Sequence, residues 1–186
     1  MSCEKCNGSG YIISNTGKMQ ECSCILQERI EKYSRHYNKY KIVKKYVDGK
    51  YNTNLIIRNA SVDTFGRIVK SLIVYQFLKN RDSEWKDITG QELVNTTFGD
   101  GEVKLDELEK VDLLIIKLGR DGYNKAVGMW MLNLLTKRLE QGLYTVIYVY
   151  PNVSRGKLVD LYSKELIDYI ESDESEFKDI SKLVKE

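Results

Sequence analysis

The spacing of apolar positions changes along this chain, and the changes mark out its elements. From residue 51 onward, short continuous apolar runs alternate with longer amphipathic stretches. NLIIRN (54–59), the first half of EWKDITGQEL (84–93), VDLLIIKLG (111–119) and YTVIYVYPN (144–152) are short runs, and each predicts a strand. GRIVKSLIVYQFLKN (66–80) brings Ile68, Leu72, Tyr75 and Leu78 near one face of a helix. LDELEKV (105–111) predicts a short helix, and KAVGMWMLNLLTKRLEQG (125–142) a long one closed by Gly142 at a C-cap position. RGKLVDLYSKELIDYI (155–170) reads as a terminal helix or helix pair. Strands alternating with helices imply an α/β class, a parallel sheet with helices covering its faces.

The first residues do not follow that rhythm. All four cysteines are gathered there, Cys3, Cys6, Cys22 and Cys24, as C-x2-C, a spacer, then C-x-C. Thiolates in two close pairs suit a tetrahedral zinc ion in a reducing compartment. Four sulfurs leave no open coordination position, so such a zinc is structural; His36 is not needed as a ligand. Gly8 and Gly10 permit tight turns beside the sulfurs, and NTGK (15–18) reads as the tip of a hairpin between Tyr11–Ser14 and Met19–Cys22. So small a segment cannot hold itself together by apolar burial, and metal binding would supply its folding energy. The alternative is four free thiols on a loose tail. The organisation expected is a zinc knuckle at 1–27, a basic tyrosine-rich connector helix at 28–50 and an α/β core at 51–186.

The connector begins with Ile25, Leu26, Ile30 and Tyr33 at helical spacing. Lys32, Arg35, Lys39, Lys41, Lys44, Lys45 and Lys50 are interleaved with Tyr37, Tyr40, Tyr46 and Tyr51. Cations beside aromatics can hold phosphates and stack the bases of a single strand; the alternative is a solvated helix face with its tyrosines on the core. The formal net charge of +2 does not itself call for a nucleic-acid partner. The charge is unevenly spread, however, for ESDESEF (171–177) is acidic. No apolar run is long enough to span a bilayer, and the amino terminus has no apolar signal segment, so a cytoplasmic protein with no membrane partner is expected.

In a parallel α/β sheet, ligands bind where loops leave the carboxyl ends of the strands. A phosphate loop after the first core strand would read G-x4-G-K-[ST]. This chain has SVDTFGRI there: Ser61 replaces the first glycine, Gly66 remains, Arg67 replaces lysine, and Ile68 cannot ligate magnesium. VDLLIIKLG ends in Lys117, where a nucleotide-hydrolysing strand usually ends in carboxylates. Lys117 would stand near the place of magnesium or simply reach solvent from the strand end.

The order of parts resembles that of the AAA+ replicative-helicase loaders of bacteria and their phages, the DnaC/DnaI type, and the related transposon ATP-binding proteins. The resemblance rests on CEKCNGSGY closing with CSC, on VDLLIIKLG, on LTKRLEQGLYTVIY leading to PN, and on LYSKELIDYIES. It implies a RecA-like/AAA+ core behind a zinc knuckle. By the same resemblance Ser61, Gly66, Arg67, Ile68, Lys117 and Asn152 occupy a vestigial nucleotide site, with Asn152 in the place of a polar sensor. Near Asp168 or Tyr169 the family carries an arginine that acts across a ring, and neither residue can replace it. Magnesium ligation, carboxylate positioning and a trans cation thus fail together. The expectation is a non-catalytic loader-like replication protein, from a phage or other mobile element, with structural zinc and no ATP or magnesium. It would bind a replicative helicase or an AAA+ loader. The competing expectations are a single-stranded nucleic-acid-binding protein and a weak, divergent ATPase.

Overall fold

The computed structural model describes residues 3–14, 17–25, 28, 54–79, 83–98, 104–120 and 125–181. The connector expected at 28–50 lies outside them, Glu28 excepted. So do its candidate contacts Lys32, Arg35, Tyr37, Lys39, Tyr40, Lys41, Lys44 and Lys45. Among the described residues, no helix is long and apolar enough to cross a membrane.

Two strands, β1 (Tyr11–Ile13) and β2 (Met19–Glu21), form an antiparallel hairpin with Ile13 opposite Met19. In the rest of the chain the elements alternate as expected. β3 (Leu55–Arg58) leads into α1 (Val62–Lys79), β4 (Trp85–Thr89) into α2 (Gly90–Phe98), and α3 (Leu105–Lys110) into β5 (Leu113–Leu118). After β5 come α4 (Lys125–Glu140), β6 (Tyr144–Val149), the helix pair α5 (Arg155–Leu161) and α6 (Lys164–Glu171), and β7 (Lys178–Asp179). The five core strands are parallel in the order β4-β5-β6-β3-β7. β7 goes beyond the elements expected from the pattern. Its two residues pair with Leu55 and Ile56, and the Lys178 N–H donates to Asn54 O (2.9 Å).

The central strands β3, β5 and β6 are apolar on both faces because both are covered. Ile56, Ile88, Leu114, Ile116, Leu118, Ile147 and Val149 face α2 to α6, with Leu93, Leu108, Val127, Met131, Leu134, Leu158 and Leu166 packed against them. Leu55, Ile57, Leu113, Ile115, Val146 and Tyr148 face the other way, against Phe65, Ile68, Val69 and Leu72 of α1. This strict alternation on a parallel sheet makes the strands read as continuous apolar runs rather than alternating ones.

Local signals set the element ends. Thr89 and Glu92 form a capping box at α2: the Thr89 N–H and Oγ1–H donate to Glu92 Oε2 (2.6 and 2.9 Å), and the Glu92 N–H donates to Thr89 Oγ1 (3.2 Å). Gly142, at φ +67°, ends α4 in a Schellman motif, with Gly142 N–H on Leu139 O and Leu143 N–H on Arg138 O. Gly128 lets α4 approach the turn between α5 and α6; a Cβ there would lie 2.4 Å from Tyr162 O.

At the amino edge of the sheet, Arg138 is fully buried. Its guanidinium donates to Leu108 O (2.7 Å), Val111 O (2.8 Å), Tyr144 O (2.6 Å) and Thr145 Oγ1 (3.0 Å). It ties the end of α3 and the starts of β5 and β6 together through three backbone carbonyls and one hydroxyl. Burial pulls its pKa down to about 10, still far above neutral, so it remains charged.

Candidate metal centre and the carboxyl edge of the sheet

The hairpin and its flanking turns bring the four cysteines to one point. Asn7, Gly8 and Gly10 all have positive φ (48°, 80° and 78°), which folds CNGSG back on itself beneath Cys6. Ser9 holds this turn, its N–H and hydroxyl both donating to Cys6 O (2.9 and 2.7 Å). The Cys22 N–H donates to Gly10 O (2.7 Å), carrying the β1–β2 ladder one step further and placing Cys22 against the first pair. At Gly10 the φ of +78° favours glycine, and a Cβ would meet Ile25 Cδ1 at 2.8 Å, so that side chain would have to shift.

The four Sγ atoms all lie within 4.8 Å of one another. Cys3 Sγ is 3.7 Å from Cys22 Sγ, and Cys6 Sγ is 3.4 Å from Cys24 Sγ. A tetrahedron of sulfurs around zinc, with Zn–S of about 2.3 Å, has edges of about 3.8 Å. The cluster is therefore the size of a metal site, and all four thiols are free of disulfides. Its electrostatics call for a cation. The Cys22 thiol is pulled down to about 6, chiefly by the backbone N–H of Cys24, whereas the Cys24 thiol is pushed up to about 12, chiefly by hydrogen bonding with Cys6. One thiolate opposes the formation of the next, and a bound cation removes that opposition.

The carboxyl edge of the sheet is arranged differently from a phosphate site. The chain leaves β3 at Arg58 and enters α1 at Val62, so only Asn59, Ala60 and Ser61 connect them. Asn59 turns the chain at φ +59°. Ser61 precedes α1 as its cap: its Oγ accepts from the Thr64 N–H (3.1 Å), and its O accepts from the Phe65 N–H (2.9 Å). Gly66, Arg67 and Ile68 lie inside α1 rather than in a loop. Arg67 pairs with Asp63 one turn back (2.6 Å) and is mostly exposed. Ile68 is buried on the sheet.

At the end of β5, Lys117 Nζ pairs with Asp87 Oδ2 of the neighbouring strand at 2.6 Å. Asp87 was not singled out by sequence; the alternation of WKDIT puts it on the same side as Thr89, whose register partner is Lys117, and that is the only signal for it. Gly119 then turns at φ +105° against Val153, where a Cβ would lie 2.7 Å from Cγ2, and its N–H donates to Tyr162 Oη (3.3 Å). Asn152 is exposed, with φ +66°, in a turn closed by the Val153 N–H on Tyr150 O (3.4 Å). Pro151 and Asn152 are the residue types such a turn demands at its two central positions.

Asp168 is held by cations. Arg155 bonds Asp168 Oδ1 (2.5 Å) and Glu171 Oε2 (2.7 Å), Lys164 bonds Asp168 Oδ2 (2.5 Å), and Arg58 reaches Glu171 Oε1 (2.8 Å). Lys164 first, then Arg155, keeps the Asp168 carboxyl below its ordinary range. The structure thus brings the cysteines together into one site. Ser61, Gly66 and Arg67 share the start of α1; Lys117 and Asn152 belong to other strand ends, each with its own local bonding.

No family model matches the chain, and no curated protein is significantly similar to it in sequence. Solved structures do match. A DnaC helicase loader is similar with a TM-score of 0.53 at 10% identity, over 74% of this chain and 84% of the loader. A replication initiator DnaA bound to AMPPCP and single-stranded DNA gives 0.52 at 13% identity, over 75% of this chain and 44% of the initiator. AMPPCP-bound DnaA from Aquifex aeolicus gives 0.50 at 12% identity, over 76% and 45%. The chain spans under half the length of these initiators and most of the loader's. These likenesses establish the fold of the core as an AAA+/RecA-like parallel sheet with helices on both faces.

Proposed function

We propose that this chain is a non-catalytic, helicase-loader-like protein of DNA replication, encoded by a phage or other mobile element, that acts by binding a replicative helicase or an active AAA+ loader. The observation that carries the reading is the state of the carboxyl edge on a loader-like fold. The connection after β3 is three residues long, the end of β5 presents Lys117 paired to Asp87, and Asp168 stands in a network of cations. Phosphoryl transfer needs a phosphate cradle, a held magnesium ion and a positioned carboxylate, and these residues supply none of them. The overlap with 84% of a DnaC helicase loader supports the loader-like role over that of a full initiator.

The cysteine cluster takes structural zinc in this reading, held by Cys3, Cys6, Cys22 and Cys24. Zinc would supply the folding energy of the first 25 residues and leave no position for substrate. The test is a pull-down of the zinc-loaded protein against a replicative helicase and an intact AAA+ loader, with ATP hydrolysis followed alongside. Binding to one of them without hydrolysis above background is expected; binding to neither refutes the reading. Single-stranded DNA is the second candidate partner, through the Lys/Tyr pattern of residues 32–45, favoured by the DNA-bound state of one similar initiator structure. Affinity that falls steeply with salt would support it.

A further inference from the structure

The crevice at the carboxyl ends of β3 and β6 is where connections leave a parallel sheet in opposite directions. From β3 the chain crosses to β4, and from β6 it crosses to β7 on the far side of β3. Such a switch point is the usual ligand crevice of an open α/β sheet. In this protein it is filled. Tyr148, the next-to-last residue of β6, is fully buried. Its ring stacks on Phe65 of the first turns of α1, with centroids 4.0 Å apart and planes 11° from parallel. Its hydroxyl donates to Ala60 O (2.8 Å), in the connection between β3 and α1. Tyr150 packs edge-on against the same ring at 5.1 Å, and the Arg120 guanidinium lies over Tyr150 at 4.9 Å.

We infer that Tyr148 and Phe65 form a plug that closes this crevice, and that the protein takes no nucleoside triphosphate or other polyphosphate there. Three physical features act together. A phosphate cradle needs backbone N–H groups that point at the ligand. Here the N–H groups of Thr64 and Phe65 are already bonded to Ser61. The first turn of α1 carries Asp63, which presents a carboxylate where an anion would approach. The nearest cation on α1, Arg67, is bonded to that same carboxylate. The hydroxyl bond to Ala60 O and the ring stack also join β6 to α1 and to the connection that leads into it from β3. The inference goes beyond the absence of hydrolysis, because an inactive site can still bind; it depends on no helicase or loader partner.

Two measurements on the full-length, zinc-loaded wild-type protein test it. The first is an amide NMR titration with magnesium-ATP and, separately, inorganic pyrophosphate. The amides of residues 59–65 are expected to show no saturable shift, while shifts confined to other residues would place any binding outside a closed crevice. Saturation at residues 59–65 with a Kd tighter than about 1 mM would overturn the plug. The second is O-acetylation of native protein with N-acetylimidazole, mapped by mass spectrometry. Tyr11, 51% exposed, serves as the internal control. Tyr11 should be modified while Tyr148 stays intact until the protein is unfolded; equal modification of both in the native protein would overturn the inference. A partner pull-down that fails leaves both results standing, so the loader-like reading and the plug fail separately.

Discussion

The cysteine cluster and the α/β core are built by opposite means. In the cluster, Ile13 and Met19 are 77% and 76% exposed, so the hairpin that carries them buries little of its own apolar surface. What gathers the segment is four sulfurs and a set of positive-φ turns. In the core, two apolar layers clamp the sheet, and the carboxyl crevice that such a sheet offers to ligands is packed with protein. In the reading proposed above, the stability of the first region depends on a ligand and the second takes none at the place where catalysis would depend on one. The difference teaches that side chains can pack the carboxyl end of such a sheet without a ligand, whereas a segment with almost no core has little packing to hold it.

The largest effect should come from breaking the cluster. Chelation, or Cys22→Ser, should abolish zinc binding and the order of residues 3–25, since structural zinc contributes about 10–16 kcal/mol to such sites. Metal analysis and amide dispersion read this directly. The unfolding midpoint of the core should barely move; a core that melts together with metal loss would show that the two regions are one cooperative unit.

Next in size is Arg138→Met. It removes the buried donor that the carbonyls of Leu108, Val111 and Tyr144 share and should cost about 3–5 kcal/mol in urea unfolding. Zinc content should be unchanged, which separates the two regions from the other side. The smallest effect is expected at Lys117→Ala. Its pair with Asp87 is partly exposed, so the loss should be about 0–1 kcal/mol. A much larger loss in the same assay would mean that Lys117 organises the carboxyl edge rather than closing one ion pair on it.

Much of this was legible in order and type of element. The runs at 54–59, 111–119 and 144–152 are strands because they are continuous, branched and short, and Gly142 ends its helix where the pattern breaks. The spacing of SVDTFGRI suggested the remnant of a loop, but the segment is helical: Ser61 caps it, Asp63 and Arg67 pair across one turn, and Ile68 finds a core position. A match of residue types at fixed offsets does not register how long the connection is, and the helix start at Val62 decides that. β7 escaped the pattern because two residues carry no period; it exists through backbone bonds to Asn54 and Ile56. Asn152 suited a polar role by position, yet its φ of +66° gives it a conformational reason to be asparagine.

By itself the sequence determined the α/β alternation, the four cysteines as one candidate metal set, and the lack of acids at the end of VDLLIIKLG, because these depend on residue type and local spacing. Only the tertiary structure decided that the sulfurs converge, that Lys117 faces Asp87, and that Tyr148 reaches Ala60 and Phe65. These are contacts between strands and turns far apart in the chain. Their partners are set by sheet order and register, and local periodicity carries no information about either.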